Sequence, residues 1–367
     1  MPGTCSWSIV VTMISPLYFK WNIAELCIPN RIVMAPMSTN LVDVSGGVTC
    51  ALKNFLVRRA IGGCGMIILE AATVDSTKGG TGLNLRLDCD KCRPGLRDII
   101  HQSHAFGTVV AAQLWHAGPR AYVKDSLPLS PSGTTPGFPV SKEMEITEIK
   151  NVVRNFIKAG EQAADIGFDA VVIHAAHGYL LHHFIDATTN RRIDAYGGSI
   201  ERRYRVLGEI CAGLKYKRPR LPVILRISLR EEDDLPAVAS VIQEIEFDAV
   251  DLRTGFSSMP EMVEKVPVPA GYTLHLSKKL RPYLHIPLLT GGRILYPRQA
   301  EQVVMEYGVD GVILGRPLLA DPDWAKKTFS GEGQTIIPCI YDCEPSCYSR
   351  FKEGEPLHCV YYGRKEC

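Results

Sequence analysis

Charge of one sign is the first thing this sequence lacks: 41 basic residues against 39 acidic ones leave +2 over 367 residues. A balance that even gives no global field to recruit nucleic acid or an anionic lipid surface. The basic run Lys215-Tyr216-Lys217-Arg218-Pro219-Arg220 reads as the solvated end of a helix ahead of a strand. Long apolar runs are missing as well. The uncharged stretch Trp7 to Phe19 is too short to span a bilayer, and no basic residue precedes it as an export signal requires. A cytoplasmic, reducing compartment is therefore expected. A G-x-G-x-x-G is absent too, since Gly63-Cys64-Gly65 and Gly331-Glu332-Gly333 both lack the third glycine, which argues against a doubly wound sheet. With 46% apolar and 22% charged residues, a disordered chain, a collagen-like repeat and a membrane bundle are excluded.

What is present is a rhythm. Short apolar, β-branched runs recur at Arg31–Ala35, Gly65–Leu69, Val109–Leu114, Ala170–Ile173, Val223–Ile227, Ala249–Leu252, Pro287–Leu289 and Gly311–Leu314. Runs this continuous suit strands buried on both faces of a parallel sheet. The segments between them read as helices, for example Ile149–Ile166 with Thr147 as N-cap. Strand–helix alternation on this scale predicts an α/β fold, a (β/α)8 TIM barrel.

In such a barrel, chemistry gathers at the C-terminal strand ends. Those ends carry Ala35-Pro36-Met37-Ser38, Glu70-Ala71-Ala72, Gln113-Leu114-Trp115-His116, His174 to Tyr179, Arg226, Arg253, Gly291-Gly292-Arg293 and Gly315-Arg316. The glycines of the last two strands let backbone approach a ligand, and strands seven and eight commonly hold a phosphate. Tight turns are their structural alternative. His174 and His177, with Tyr179 two residues on, can grip a carbonyl oxygen and deliver a proton; a hydrogen-bonded structural pair or a zinc site are the alternatives. Arg226, inside a buried strand, needs an anionic partner, either a ligand or a structural salt bridge.

Twelve cysteines are many for such a chain, and five of them, Cys339, Cys343, Cys347, Cys359 and Cys367, crowd the last segment. Cys339-x3-Cys343-x3-Cys347-x11-Cys359 can hold a four-iron cluster or zinc, and three close cysteines plus a remote one favour the cluster. The lone Cys89-x-x-Cys92 reads as two unpaired thiols. The expected organisation is an extension over residues 1–12, a barrel over 13–330 and a cysteine-rich [4Fe-4S] segment over 331–367.

At Asn30 to Met37, at Gln113 to Gly118 and above all at His174 to Arg203 (HAAHGYLLHHFIDATTNRRIDAYGGSIERR), the sequence resembles the old yellow enzyme or NADH:flavin oxidoreductase family. The cysteine tail resembles that family's iron–sulfur branch, which includes bacterial 2,4-dienoyl-CoA reductase. The resemblance implies non-covalent FMN. Ala35, Pro36, Met37, Ser38, Ala71, Gln113 and Arg226 would line the isoalloxazine, and Gly291, Gly292, Arg293, Gly315 and Arg316 would hold the phosphate. His174 and His177 would bind the substrate carbonyl. Tyr179 would be the proton donor in an ene-reductase that sends a flavin hydride to the β-carbon of an enone or enoyl thioester. Cys339, Cys343, Cys347 and Cys359 would hold the [4Fe-4S] cluster.

The chain departs from the family at three points. The first cysteine spacing is x3 where the family has x2, with Asp342 where the second cysteine would fall and Cys367 as a replacement ligand. The relatives continue into further redox modules, so electrons are expected from NAD(P)H or from a partner such as a ferredoxin, a flavodoxin or a separate reductase subunit. Ser38 stands where amine-oxidising relatives attach flavin through cysteine, which disfavours amine demethylation. A dehydrogenase running outward through the cluster, and a non-catalytic electron-transfer subunit, are the competing functions. Pro267–His275 is expected to form part of the substrate wall, with Tyr272 or His275 pointing inward.

Overall fold

The computed structural model describes residues 14–254, 271, 273–341, 343 and 345–359. Residues 1–12, most of Pro267–His275 including Tyr272, and Asp342 and Cys367 lie outside the described residues. The apolar runs become β1 (Ile32–Met34), β2 (Met66–Thr73), β3 (Val109–Trp115), β4 (Ala170–Ala175), β5 (Val223–Leu229), β6 (Ala249–Thr254), β7 (Leu288–Gly291) and β8 (Gly311–Leu314). All pair in parallel and in chain order. Val312 of β8 lies opposite Ile32 of β1, and Val33 of β1 opposite Met66 of β2, so the sheet closes on itself. A two-residue strand, Leu85–Arg86, attaches outside the ring to β2.

Helices α1 (Cys50–Ile61), α2 (Arg93–His104) and α3 (Ile146–Ile166) follow the first strands. After them come α4 (Leu180–Ile185), α5 (Ile200–Lys217), α6 (Leu235–Glu244), α7 (Leu274–Leu280) and α8 (Pro297–Tyr307). Last are α9 (Arg316–Ala320), α10 (Trp324–Phe329) and α11 (Cys347–Lys352). The α3 cap differs from expectation. The helix begins at Ile146, and Glu148 reaches back to accept from the Glu145 backbone N–H at 2.8 Å, so Glu145 and not Thr147 is the cap. Among the described residues, no helix is long and apolar enough to cross a membrane.

Strand alternation explains why both faces are apolar. Ile32, Met34, Ile67, Val110 and Val171 pack outward with the helices, while Val33, Ile68, Ala111, Val172, Ile224, Ala249, Leu289 and Ile313 form a second cluster inside the ring. A hairpin of Trp21–Ile23 against Leu26–Ile28 joins the inner cluster through Trp21, Ile23 and Ile28, closing the N-terminal end. The fit is tight: a Cβ on Gly311 would meet the Trp21 ring at 2.9 Å. Each such buried aliphatic side chain contributes about 1.5–3 kcal/mol.

The tail does not hang free. Leu357 donates its N–H to the Thr39 carbonyl at 2.8 Å, and the Asn40 amide donates to the carbonyls of Phe351 and Glu355 at 2.9 and 3.1 Å. Those contacts anchor the cysteine segment on the loop after β1.

Candidate active site

Two residues beyond each inward apolar position, the same face leaves the packed interior and carries the strand-end residues. Val33 gives way to Ala35, Ala111 to Gln113, Val172 to His174, Ile224 to Arg226, Ala249 to Asp251, Leu289 to Gly291 and Ile313 to Gly315. On β2 a register shift between Ile68 and Ala71 interrupts the alternation, leaving Glu70 and Ala71 together at this level. The result is a ring at the C-terminal end that brings together Ala35, Glu70, Ala71, Gln113, His174, Arg226, Gly291 and Gly315 of the residues nominated there, and adds Asp251.

His174, Arg226 and Asp251 stand in register across three neighbouring strands. Arg226 Nη1 donates to Asp251 Oδ2 at 2.9 Å, and Arg253 Nη2 lies 2.8 Å from Asp251 Oδ1. Asp251 is fully buried, so it is held in a desolvated ion-pair network with two guanidiniums. The structural salt bridge weighed for Arg226 is therefore present, and its partner is a residue that sequence reasoning passed over. The signal was available: Asp251 is the one acidic residue within the run Ala249–Leu252, two positions from Ala249.

His174 Nε2 and His177 Nδ1 are hydrogen-bonded at 3.1 Å. Burial, reinforced by the Arg226 charge, holds both imidazoles well below their ordinary pKa. Two neutral imidazoles bonded to each other keep one outward N–H between them, so the pair in this state offers one donor where two were expected. His177 takes a left-handed backbone, φ +60°, and its N–H donates to Ser228 Oγ at 3.2 Å. The Tyr179 ring sits 5.2 Å from that of His174 and 5.1 Å, edge-on, from Trp115. Burial pushes the Tyr179 phenol up, so it keeps its proton at neutral pH.

Around this centre, Ala35, Pro36 and Met37 are half-buried and Ser38 is exposed. Thr39, just beyond, donates from N and Oγ1 to Glu70 Oε2 at 2.8 and 2.5 Å, while burial pushes the Glu70 carboxyl up to about 7. Gln113 is buried, and its Oε1 has no hydrogen-bond partner among the described residues. A lone buried amide oxygen is costly, which makes it a ready acceptor for a ring N–H. Gly292 (φ +138°) and Arg293 (φ +50°) turn the chain sharply after β7, and the Gly315 backbone is also irregular at φ −105°, ψ −94°. These residues fit an FMN: an unsatisfied acceptor for its ring, a guanidinium at its electron-rich edge, and two Gly-Arg corners for its phosphate.

Cys339, Cys343, Cys347 and Cys359 surround a single pocket with Arg316 and Leu319. Among the described residues, no three ligating side chains stand close enough for a single metal ion, including at the histidine pair. Thiolates of a four-iron cluster stand further apart, each on its own iron. Burial raises the Cys339 thiol, and pushes Cys347 up to about 11, with Arg316 pulling both back. Cys89 and Cys92 lie elsewhere, at the start of α2. His275 opens α7 beside Glu231 and is exposed on its outer surface.

A closed parallel barrel with a buried arginine and histidine ring at its C-terminal end defines an α/β-barrel enzyme. The chain belongs to the NADH:flavin oxidoreductase / NADH oxidase family, whose pattern matches residues 16–333, and is an oxidoreductase. It is 34% identical over 351 residues to an NADH oxidase of Thermoanaerobacter brockii, covering 90% of this chain and 53% of that protein. The chain thus spans about half the length of that relative. Its fold superposes on 2-naphthoyl-CoA reductase in complex with 2-naphthoyl-CoA with a TM-score of 0.85 at 23% identity, over 96% of this chain and 57% of the other. The old yellow enzyme homologue of Zymomonas mobilis gives 0.73 at 25% identity, over 86% and 92%.

Proposed function

We propose that the chain is an FMN-dependent ene-reductase acting on an α,β-unsaturated carbonyl compound, with a [4Fe-4S] cluster in its cysteine tail. One observation carries the reading: a buried, hydrogen-bonded His174–His177 pair adjoins Tyr179 beside the Arg226–Asp251–Arg253 network.

Gln113 and Arg226 would hold the flavin ring, with Ala35, Pro36, Met37, Ser38 and Ala71 lining its edge. Gly291, Gly292, Arg293, Gly315 and Arg316 would hold the phosphate. FMN, when bound, supplies hydride chemistry. The outward imidazole N–H polarises the substrate carbonyl and steadies the enolate oxygen, assisted by the positive field of Arg226 and Arg253. Tyr179 Oη holds the proton destined for the α-carbon. Neutral histidines suit the task, because an imidazolium pair beside two guanidiniums would be strongly disfavoured. Asp251 keeps Arg226 in place.

Four cysteines around one pocket support the cluster through Cys339, Cys343, Cys347 and Cys359. Electrons would come from NAD(P)H, or from a protein donor docking near the tail.

The test is anaerobic purification with flavin, iron and sulfide quantified, followed by mixing dithionite-reduced protein with 2-cyclohexenone. Reoxidation of the flavin with loss of the alkene supports the reading. Bound flavin that no enone or enoyl thioester reoxidises would favour electron transfer without alkene chemistry.

A further inference from the structure

The extra residue in Cys339-x3-Cys343 falls where the tail meets the two Gly-Arg corners. Tyr341 adopts φ +61°, a left-handed conformation that an aromatic side chain rarely takes. Its ring lies under both guanidiniums, with Arg316 Cζ 4.0 Å and Arg293 Cζ 4.8 Å from the centroid. Arg293 is itself left-handed, at φ +50°. Arg316 and Cys339 both line the four-cysteine pocket. Two unfavourable backbone conformations facing each other persist only where the surroundings hold them, and such strain clusters at ligand clamps.

The chemistry accounts for the arrangement. Two guanidiniums at one corner repel each other, and an aromatic face attracts each of them. Stacking occupies the flat faces of an arginine and leaves its in-plane N–H groups open, the groups that grip a phosphate. We propose that Tyr341 is a positioning residue that holds Arg293 and Arg316 in the orientation for a phosphate monoester, so that the cysteine tail sets how tightly FMN is retained. On this reading the segment between Cys339 and Cys343 supplies the residue that kinks the chain and carries the ring. The inference rests on the FMN reading above and adds to it a residue from outside the barrel.

The experiment compares FMN with riboflavin, which has the same ring and no phosphate. Dissociation constants are measured by flavin fluorescence on the deflavinated full chain, for wild type, Tyr341→Phe, Tyr341→Leu and Tyr341→Ala. Tyr341→Phe should match wild type for both flavins. Tyr341→Leu and Tyr341→Ala should bind FMN about tenfold more weakly, the scale of a lost cation–π contact, and riboflavin unchanged. Should the Ala variant fail to fold, the Leu variant, which keeps the bulk without the π face, decides. Unchanged FMN affinity in both overturns the clamp, and so does an equal loss for FMN and riboflavin, which a general loosening of the tail would produce. A wild-type chain that takes up neither flavin overturns the FMN reading itself, and the clamp with it.

Discussion

Arg226 and Asp251 meet at 2.9 Å across adjacent strands, directly opposite in register and both removed from solvent. The carboxylate also pairs with Arg253, so removing its charge takes a buried partner from both guanidiniums. Asp251→Asn should therefore destabilise the fold by about 3 kcal/mol, the scale of a broken buried ion pair. Chemical denaturation checks this, and a midpoint equal to wild type would mean that Asp251 compensates neither arginine.

Tyr179→Phe removes the proton held beside the histidine pair without disturbing the ring contacts to His174 and Trp115. Oxidation of the reduced enzyme by an enone should slow by roughly 10²–10⁴-fold. Reduction of the flavin by its electron donor should be unaffected. Stopped-flow measurement of the two half-reactions separates them, and an unslowed oxidative half-reaction would assign the proton to another group.

Acid should unfold this protein early. Burial pushes His116 down to about 4 and both His182 and His183 down to about 3, and holds His174 and His177 well below their usual range. The unfolded chain protonates its histidines near ~6.5. Below that pH the unfolded state binds more protons than the fold, so stability is full above ~6.5 and falls as pH drops toward the folded values. At pH ~5 each of His116, His182 and His183 should cost on the order of 2 kcal/mol. Glu70, raised to about 7, and Asp233, also raised by burial, act in the opposite sense but are two groups against five. A melting temperature that rises between pH 7.5 and pH 5 would contradict this accounting.

Cys347→Ser removes one wall of the four-cysteine pocket. The variant should lose iron, sulfide and the broad absorption near ~400 nm while keeping its flavin. Elemental analysis beside the visible spectrum reads both at once. Wild type with stoichiometric zinc and no sulfide would assign the tail to the other metal.

The barrel was legible because its strands are buried on both faces, and continuous apolar runs such as Val223–Ile227 leave little else to read. Strand ends were less visible. β2 runs on to Thr73 and β6 to Thr254, past Glu70 and Arg253, whose polarity argues locally against a strand and is tolerated because the pairing continues. Individual site residues could be nominated from their position at those ends. Their mutual bonds could not, because Asp251 reaches Arg226 from 25 positions away through strand register, and no local pattern encodes that contact. The Thr147 cap failed for a related reason: the reciprocal bonds between Glu145 and Glu148 fix the start of α3, and a preferred residue type one position inside the helix does not reveal them. Tyr341 was invisible as anything but an irregular spacing, since its meaning arises only once two distant arginines converge on it.

The hairpin of Trp21–Ile23 and Leu26–Ile28 stoppers the far end of the cylinder. On the proposed reading, a nicotinamide donor and the compound being reduced would both use the opposite mouth and take turns there, giving parallel lines in double-reciprocal plots. Electrons entering through the cysteine tail would need no place in that mouth, so a protein donor would be free of that queue.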